Sequence, residues 1–448
     1  MTAPSASFIS RRKQLLEQMQ AQGGGVAIIA TAQEMLRNND NTFPFRHDSS
    51  FYYLSGFTEP EALLVLVADG ASERSILFCR EKNLEQEIWD GFRYGPAAAQ
   101  AQFGFDAAFP MEALATEMPN LLADAATLFH SAGVAPQLDT QLQSWLDVVH
   151  GKSRSGVLAP QKTVNVRSLI DEMRLFKDAS EIALMQKAAS VSGAAHARAM
   201  RAAKPGMFEY EIEAELLHEF RRQGSQAPAY GSIVATGANA CVLHYQSNAA
   251  QIKDGDLILI DAGCEFDSYA SDITRSFPAN GKFSAAQKTL YELVLAAQQA
   301  AISCAHPGAG YMDGHHAAVM VLTQGMLDVG LLDKNKVGTL DDAIAHNAFR
   351  QFYMHGTGHW LGLDVHDVGS YREVNKVGME RPYRKLEAGM VITVEPGIYV
   401  RKAEGVPEQF WDIGIRIEDD IAITTDGHLN LSRDTPKTVA EIESEMQS

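Results

Sequence analysis

Leu257–Ser276 reads LILIDAGCEFDSYASDITRS. An apolar, strand-like run ends in Asp261-Ala262-Gly263, a turn follows, and a second short strand carries Asp272. This places two carboxylates face to face across a hairpin. Holding like charges that close in a buried setting is costly unless a cation lies between them. The stretch is therefore read as half of a carboxylate-rich metal site.

The other half lies about 130 residues downstream. Before the hairpin, Asp178 and Glu181 form a capping-box start for a long helix that Pro205-Gly206 stops. A second helix, Phe208 to Gln223, ends at Gly224. Ser284 and Gln287 open a matching helix stopped by Pro307-Gly308, and another, from Met312 to Val329, ends at Gly330. After the first pair, Gly255 leads through DLILI to Asp261; after the second, Gly389 leads through MVITV to Glu395 at the same spacing. Each acid is followed by a turn and a further acidic strand, with Asp272 in one copy and Glu418 in the other. Each acidic strand is also preceded by a histidine beside an aromatic residue, His244-Tyr245 and His359-Trp360. Such an internal repeat predicts two α/β halves related by a pseudo-two-fold axis, with sheets meeting at a central site and helices outside.

The repeat makes one acidic hairpin into two that converge. Asp261, Asp272, Glu395, Glu418 and a histidine end apolar or tight stretches, where charge is seldom buried without a partner. Two divalent cations would be that partner, and four carboxylates with one imidazole suit manganese, cobalt or zinc. Such a pair can generate a nucleophile at neutral pH. The stretch from His355 to Asp367 carries His355, His359 and His366 among glycines, so it is a loop and not a zinc-protease helix. One imidazole ligates; the others bind substrate or transfer protons. His315-His316 lies apart on a helix and is read as surface.

Ahead of the repeat, Phe8–Gln22 is an amphipathic helix with Leu15, Leu16 and Met19 at helical spacing. Strands are expected at Val26–Ala30, Phe51–Leu54, Ala62–Val67 and Ile76–Cys79, interleaved with helices near Ala98–Gln102 and Met111–Ala123. The whole is α/β (α+β): an N-terminal domain over 1–175 and a catalytic domain over 176–440. Trp89, in EIWDGFRYG, is read as core packing by default, with an interface role as the alternative.

A net charge of −18 argues against nucleic acid as the main partner, because phosphate binding needs clustered Lys and Arg. No apolar run approaches bilayer length, and MTAPSASFISRRKQLLEQMQ lacks the apolar core of a secretory signal. Four scattered cysteines without a CxxC pair give neither a thiolate zinc site nor a disulfide framework, which suits a reducing cytoplasmic setting.

MHGTGHWLGLDVHDVG, TVEPGIY, GIRIEDDI and IDAGCEFDSYASDITRSFP resemble the proline aminopeptidases of the pita-bread metallopeptidase family. SSFYYLSGFTEPEALLVL and EIWDGFRYG look like the N-terminal domain of the bacterial cytoplasmic form, so the resemblance covers nearly the whole chain. It implies that Asp261 chelates one ion, His359 and Glu395 the other, and that Asp272 and Glu418 bridge both. It implies attack of a metal-bridging hydroxide on the X-Pro bond, with Glu395 assisting proton transfer and the substrate amine near Asp261. His244 and His366 would orient the carbonyl and stabilise the oxyanion, and His355 would line the proline pocket. Tyr399 and Arg416 would support them, and Trp89 would reach a neighbouring subunit's site in a tetramer or dimer. The metal implied is manganese.

The resemblance leaves prolidase, which takes only X-Pro dipeptides, a metal-free relative such as creatinase, and an inactive pita-bread binding module. Five intact ligand positions and the long N-terminal domain disfavour all three.

Overall fold

The computed structural model describes residues 6–70, 72–373 and 381–448, so the first five residues of the N-terminal stretch quoted above are not described. It divides into two compact units, Met1–Met173 and Arg174–Ser448.

The first unit is built on six strands: β1 (Gly25–Ala30), β2 (Leu63–Ala68), β3 (Glu73–Cys79), β4 (Ala107–Pro110), β5 (Thr127–Phe129) and β6 (Lys162–Val164). They lie in the order β4-β3-β2-β1-β5-β6, and only β2 runs against the others. Helix α1 (Ala6–Ala21) buries the expected Leu15, Leu16 and Met19, and also Arg12. The Arg12 guanidinium donates to the carbonyls of Leu54, Phe103 and Gly104 at 3.0, 2.8 and 2.7 Å, satisfying the ends of two helices. One of those helices corrects the sequence reading. Phe51–Leu54, expected as a strand, belongs to helix α2 (Ser49–Ser55). Asp48 accepts from the amides of Ser50 and Phe51, and left-handed Gly56 closes the other end. Helix α3 (Leu84–Asp90) carries Trp89, which is 84% exposed and so not core packing. Helices α4 (Gly95–Phe103), α5 (Leu114–Leu122) and α6 (Pro136–Gly151) complete the unit.

The second unit repeats itself. Helices α7 (Ala179–Ala202) and α8 (Glu209–Arg222) precede strands β7 (Ile233–Thr236), β8 (Leu257–Asp261) and β9 (Thr274–Pro278). Helices α9 (Ala285–Ser303) and α10 (Asp313–Asp328) precede β10 (Val391–Val394) and β11 (Asp419–Ile423). Both predicted capping boxes form, at Asp178/Glu181 and Ser284/Gln287. Gly255 and Gly389, six residues before the paired acids, both take left-handed backbone, at φ +84° and +93°. The chain therefore enters the two acidic strands through the same turn.

The copies differ at the second acids. Asp261 pairs with Thr274 across β8–β9, and Val394 pairs with Asp419 across β10–β11. By register, Thr274 is the counterpart of Glu418, and Asp272 stands two residues outside the repeat. Asp272 follows a two-stranded excursion, Cys264–Phe266 against Tyr269–Ala270, which the second copy matches with Gly397–Val400 against Ile413–Arg416. Gly263 begins it, and a Cβ there would sit 1.8 Å from the Ser271 carbonyl oxygen. Gly263→Ala is expected to destabilise the protein by about 3 kcal/mol, measured by urea denaturation, because the clash is with backbone.

Candidate metal centre

A cavity of about 300 Å³ in the second unit is lined by His244, Asp261, Asp272, His355, His359, His366, Glu395, Arg416 and Glu418. These are all the predicted site residues except Tyr399 and Trp89. Tyr399 lies just behind the wall, and Trp89 belongs to the first unit.

Asp261 ends β8, and Asp272 lies two residues past the excursion that follows it. Both meet the hydroxyl of Tyr230, at 2.6 and 2.5 Å. A phenol has one proton to donate, so one of these contacts is not a hydrogen bond to a free carboxylate. Either one acid is protonated or a cation takes the charge. His359 donates from Nδ1 to the carbonyl of Trp360 at 2.9 Å, which turns Nε2 toward Asp272, 3.3 Å away, and Glu395, 3.9 Å away. A ring fixed in this way by its other nitrogen is oriented as a metal ligand. Possible ligand atoms of Asp272, His359 and Glu418 all lie within 4.8 Å of one another. Asp261 and Glu395 face the same cavity from outside this tight group.

Arg416 is the buried hub. It donates to Asp261 at 2.5 Å, to the Tyr399 hydroxyl at 3.0 Å and to Thr274 Oγ1 at 3.2 Å. The Thr274 hydroxyl in turn donates a hydrogen bond to Glu418 at 2.6 Å. Tyr399 lies 2.7 Å from His355 Nε2, and His355 Nδ1 lies 2.6 Å from the carbonyl of Gly356. The carbonyl can only accept, so Nδ1 carries the hydrogen, and in the neutral imidazole Nε2 accepts from the Tyr399 hydroxyl. Burial and then Arg416 lower the His355 pKa to about 3.

Four carboxyls face one guanidinium, and of the imidazoles His359 is the one drawn toward its charged form. Burial and mutual repulsion push Glu418 well above its ordinary range, push Glu395 up to about 7, and raise Asp261. Burial opposes charge on Asp272 as well, but His359 outweighs it and keeps the carboxylate low. Asp272 in turn raises His359 to about 9, against the effect of burial. The protein's own cations cannot neutralise this set, so the donor atoms and their charge fit divalent metal ions.

The family model for metallopeptidase family M24 matches residues 183–425. The model for the aminopeptidase P N-terminal domain matches residues 8–129. The chain belongs to metallopeptidase family M24. It is 43% identical over 440 residues to the Xaa-Pro aminopeptidase of Escherichia coli, covering 98% of this chain and 97% of the relative. To that of Haemophilus influenzae it is 44% identical over 443 residues, covering 99% and 97%. Among solved structures, an aminopeptidase of Pseudomonas aeruginosa matches with a TM-score of 0.95 and 47% identity, covering 100% of this chain and 99% of the other. A substituted Escherichia coli aminopeptidase P in complex with substrate matches at 0.94 and 42% identity, with the same coverage.

Several residues of this M24 site were not visible in the sequence. Tyr230 sits in an ordinary loop, and no spacing marks it. Arg275, fully buried, donates to the carbonyl of Glu418 at 2.6 Å and to Asp419 at 2.8 Å, clamping the two acidic strands together. The Asp420 carboxylate accepts the backbone N–H of Asp272 at 3.2 Å. Asp367, next to His366, is held by Arg174 at 2.6 Å and Lys177 at 2.9 Å, which ties down the histidine loop. His315 corrects a surface reading: it is half-buried, with Nδ1 2.8 Å from Thr357 Oγ1. The Thr357 carbonyl accepts the N–H of Glu395 at 2.8 Å. His316 is exposed, as expected.

Proposed function

We propose that this M24 enzyme is a two-metal Xaa-Pro aminopeptidase, releasing the first residue of peptides whose second residue is proline. The observation that carries the reading is the complete set of four carboxylates and His359, with three further histidines, around one cavity in a chain aligned end to end with Xaa-Pro aminopeptidases. Asp261, Asp272, His359, Glu395 and Glu418 would hold two divalent cations, manganese first, with cobalt or zinc also suited to the donors. Bound cations supply Lewis acidity, acidifying a water nucleophile and polarising the scissile carbonyl.

The chain's own residues supply the rest. Asp261 offers the anionic face that receives the free α-amine, so only a terminal residue is cleaved. Glu395 takes the nucleophile's proton and delivers it to the proline nitrogen, which must leave as an amine. His244 and His366 are exposed at the cavity and hold the carbonyl as negative charge develops on its oxygen. His355, fixed at both ring nitrogens, gives the proline ring a rigid neutral wall. An X-Pro bond has no N–H to donate, and a site that does not ask for one admits proline where a general aminopeptidase does not.

The test is hydrolysis of Ala-Pro-Ala, Ala-Ala-Ala and Ala-Pro by metal-stripped enzyme with each divalent ion restored in turn. Cleavage of Ala-Pro-Ala alone among the tripeptides is expected; cleavage of Ala-Pro only would make the enzyme a prolidase. His244→Ala is expected to keep its metal and lose about 10²-fold in kcat, because the residue acts on the carbonyl. Loss of metal from that variant, read by elemental analysis, would make His244 a ligand instead.

The four cysteines are free, three of them buried, which supports a reducing compartment, the cytoplasm. Among the described residues no helix is long and apolar enough to cross a membrane. Leu84, Ile88, Trp89 and Phe92 are 73, 81, 84 and 62% exposed, which supports a homo-oligomer in which Trp89 meets a neighbouring subunit.

A further inference from the structure

His244 lines the metal cavity from the connection between β7 and β8, residues 237–256. The ring is exposed, as are Val242, Gln246, Ser247 and Ala249 around it. Among the described residues the His244 side chain has no hydrogen bond or ion pair of its own. His355 and His359, by contrast, are each fixed through a second ring nitrogen. The place of the His244 imidazole is therefore set by the backbone that carries it. An exposed loop holds a side chain in one place only where its backbone is tied down.

The tie is Glu209, the first residue of α8, whose side chain is fully buried. Its carboxylate accepts four hydrogen bonds, two at each oxygen. Oε1 takes the N–H of Thr236 at 2.8 Å and Nδ2 of Asn239 at 3.1 Å. Oε2 takes the hydroxyl of Tyr245 and the N–H of Ala250, both at 2.8 Å. The Glu209 N–H returns a bond to the carbonyl of Ala250 at 3.0 Å. No cation pairs with Glu209 among the described residues. A buried carboxylate without a cation is costly unless donors fill its lone pairs, and these four, with the start of α8, do so.

The donors are not scattered. Thr236 and Ala250 are the two feet of the loop, and Asn239 and Tyr245 lie between them. Asn239 Nδ2 also donates to the Tyr245 hydroxyl at 3.1 Å, so the phenol is fixed both as donor and as acceptor. Leu243 and Tyr245, on either side of His244, pack on a cluster formed by Ile233, Ala235, Leu259 and Tyr399. His244 is thus the free member of a stretch whose neighbours are both anchored. Neither Glu209 nor Tyr245 lines the metal cavity.

We propose that Glu209 and Tyr245 are positioning residues for His244. The buried carboxylate fixes the phenol, and the phenol, one residue along the backbone, holds the imidazole against the scissile carbonyl. The inference rests on the reading of His244 as the group that meets that carbonyl.

The test is a pair of double-mutant cycles on an X-Pro-Y peptide. Tyr245→Phe and Glu209→Gln are each made in the parent and in His244→Ala. Tyr245→Phe removes only the hydroxyl and is expected to lower kcat about tenfold, with KM and metal content held, because a misplaced group loses transition-state contact. In the His244→Ala background the same change should cost less than about twofold, since there is no imidazole left to misplace. Glu209→Gln sets an amide against donors, so its unfolding midpoint should fall by the same amount in both backgrounds while its kcat loss again appears only where His244 is present. Unchanged kcat in Tyr245→Phe, equal losses with and without His244, or loss of metal would overturn the proposal and leave the role of His244 standing. A His244→Ala enzyme as active as the parent would overturn that role, and the proposal with it.

Discussion

Asp272→Ala is expected to lower kcat/KM on an X-Pro-Y peptide by about 10³-fold or more, about 4 kcal/mol of transition-state stabilisation. Asp272 belongs to the tightest group of possible ligand atoms, with His359 and Glu418. It is also the anion that faces His359 Nε2, and it shares the Tyr230 hydroxyl with Asp261. Truncation removes a donor from the centre of the site and leaves His359 facing only Glu395 at 3.9 Å. Asp272→Asn keeps the shape and removes the charge, so it should fall nearly as far; an effect confined to alanine would make the residue a spacer. Elemental analysis should find less metal in both variants, while far-UV circular dichroism stays that of the parent. Unchanged turnover in Asp272→Ala would sink the assignment of the centre.

That residue also marks where sequence reasoning reaches its limit. The acids were recognisable because each ends an apolar run, and the pairing was recognisable because Gly255 and Gly389 stand at equal spacing before Asp261 and Glu395. Capping boxes at Asp178 and Ser284 were visible because they act over three residues. The inequivalence of Asp272 and Glu418 was not visible, since it depends on the register across β8–β9 and β10–β11. Supports of the site escaped for the same reason. Arg275 reaches Glu418 across 143 residues, Lys177 reaches Asp367 across 190, and Asp420 meets Asp272 across 148. The error at Phe51–Leu54 had a local remedy: a helix-capping Asp48 stood three residues ahead of Phe51, and Gly56 closed the segment. The apolar run read as a strand because α2 buries nearly all of its side chains, which hides helical periodicity.

Removing the metal should make the protein less stable as pH rises, and this follows from the same crowding. In the metal-free protein Glu395 is raised from 4.5 to about 7, and His359 from 6.5 to about 9. A group whose folded pKa exceeds its unfolded one contributes stability that is complete below the unfolded pKa and is lost as pH rises through the folded pKa. Glu395 therefore withdraws its contribution between about pH 4.5 and 7, and His359 between about pH 6.5 and 9. Asp261 and Glu418, also raised, act in the same direction. Asp272, lowered, acts the other way, but below its ordinary value and so outside this window. The Glu395 displacement alone corresponds to about 3 kcal/mol. Divalent ions bind the folded site and displace those protons, so their stabilising effect should grow over the same interval. Urea denaturation of chelator-treated and manganese-reconstituted enzyme, from about pH 5 to 9, should give midpoints that diverge with pH, the metal-free curve falling and the loaded curve nearly level. A metal-free protein whose stability is flat or rises across that interval would mean that the four carboxyls do not crowd one another, and the charge argument for a two-metal centre would fail with it.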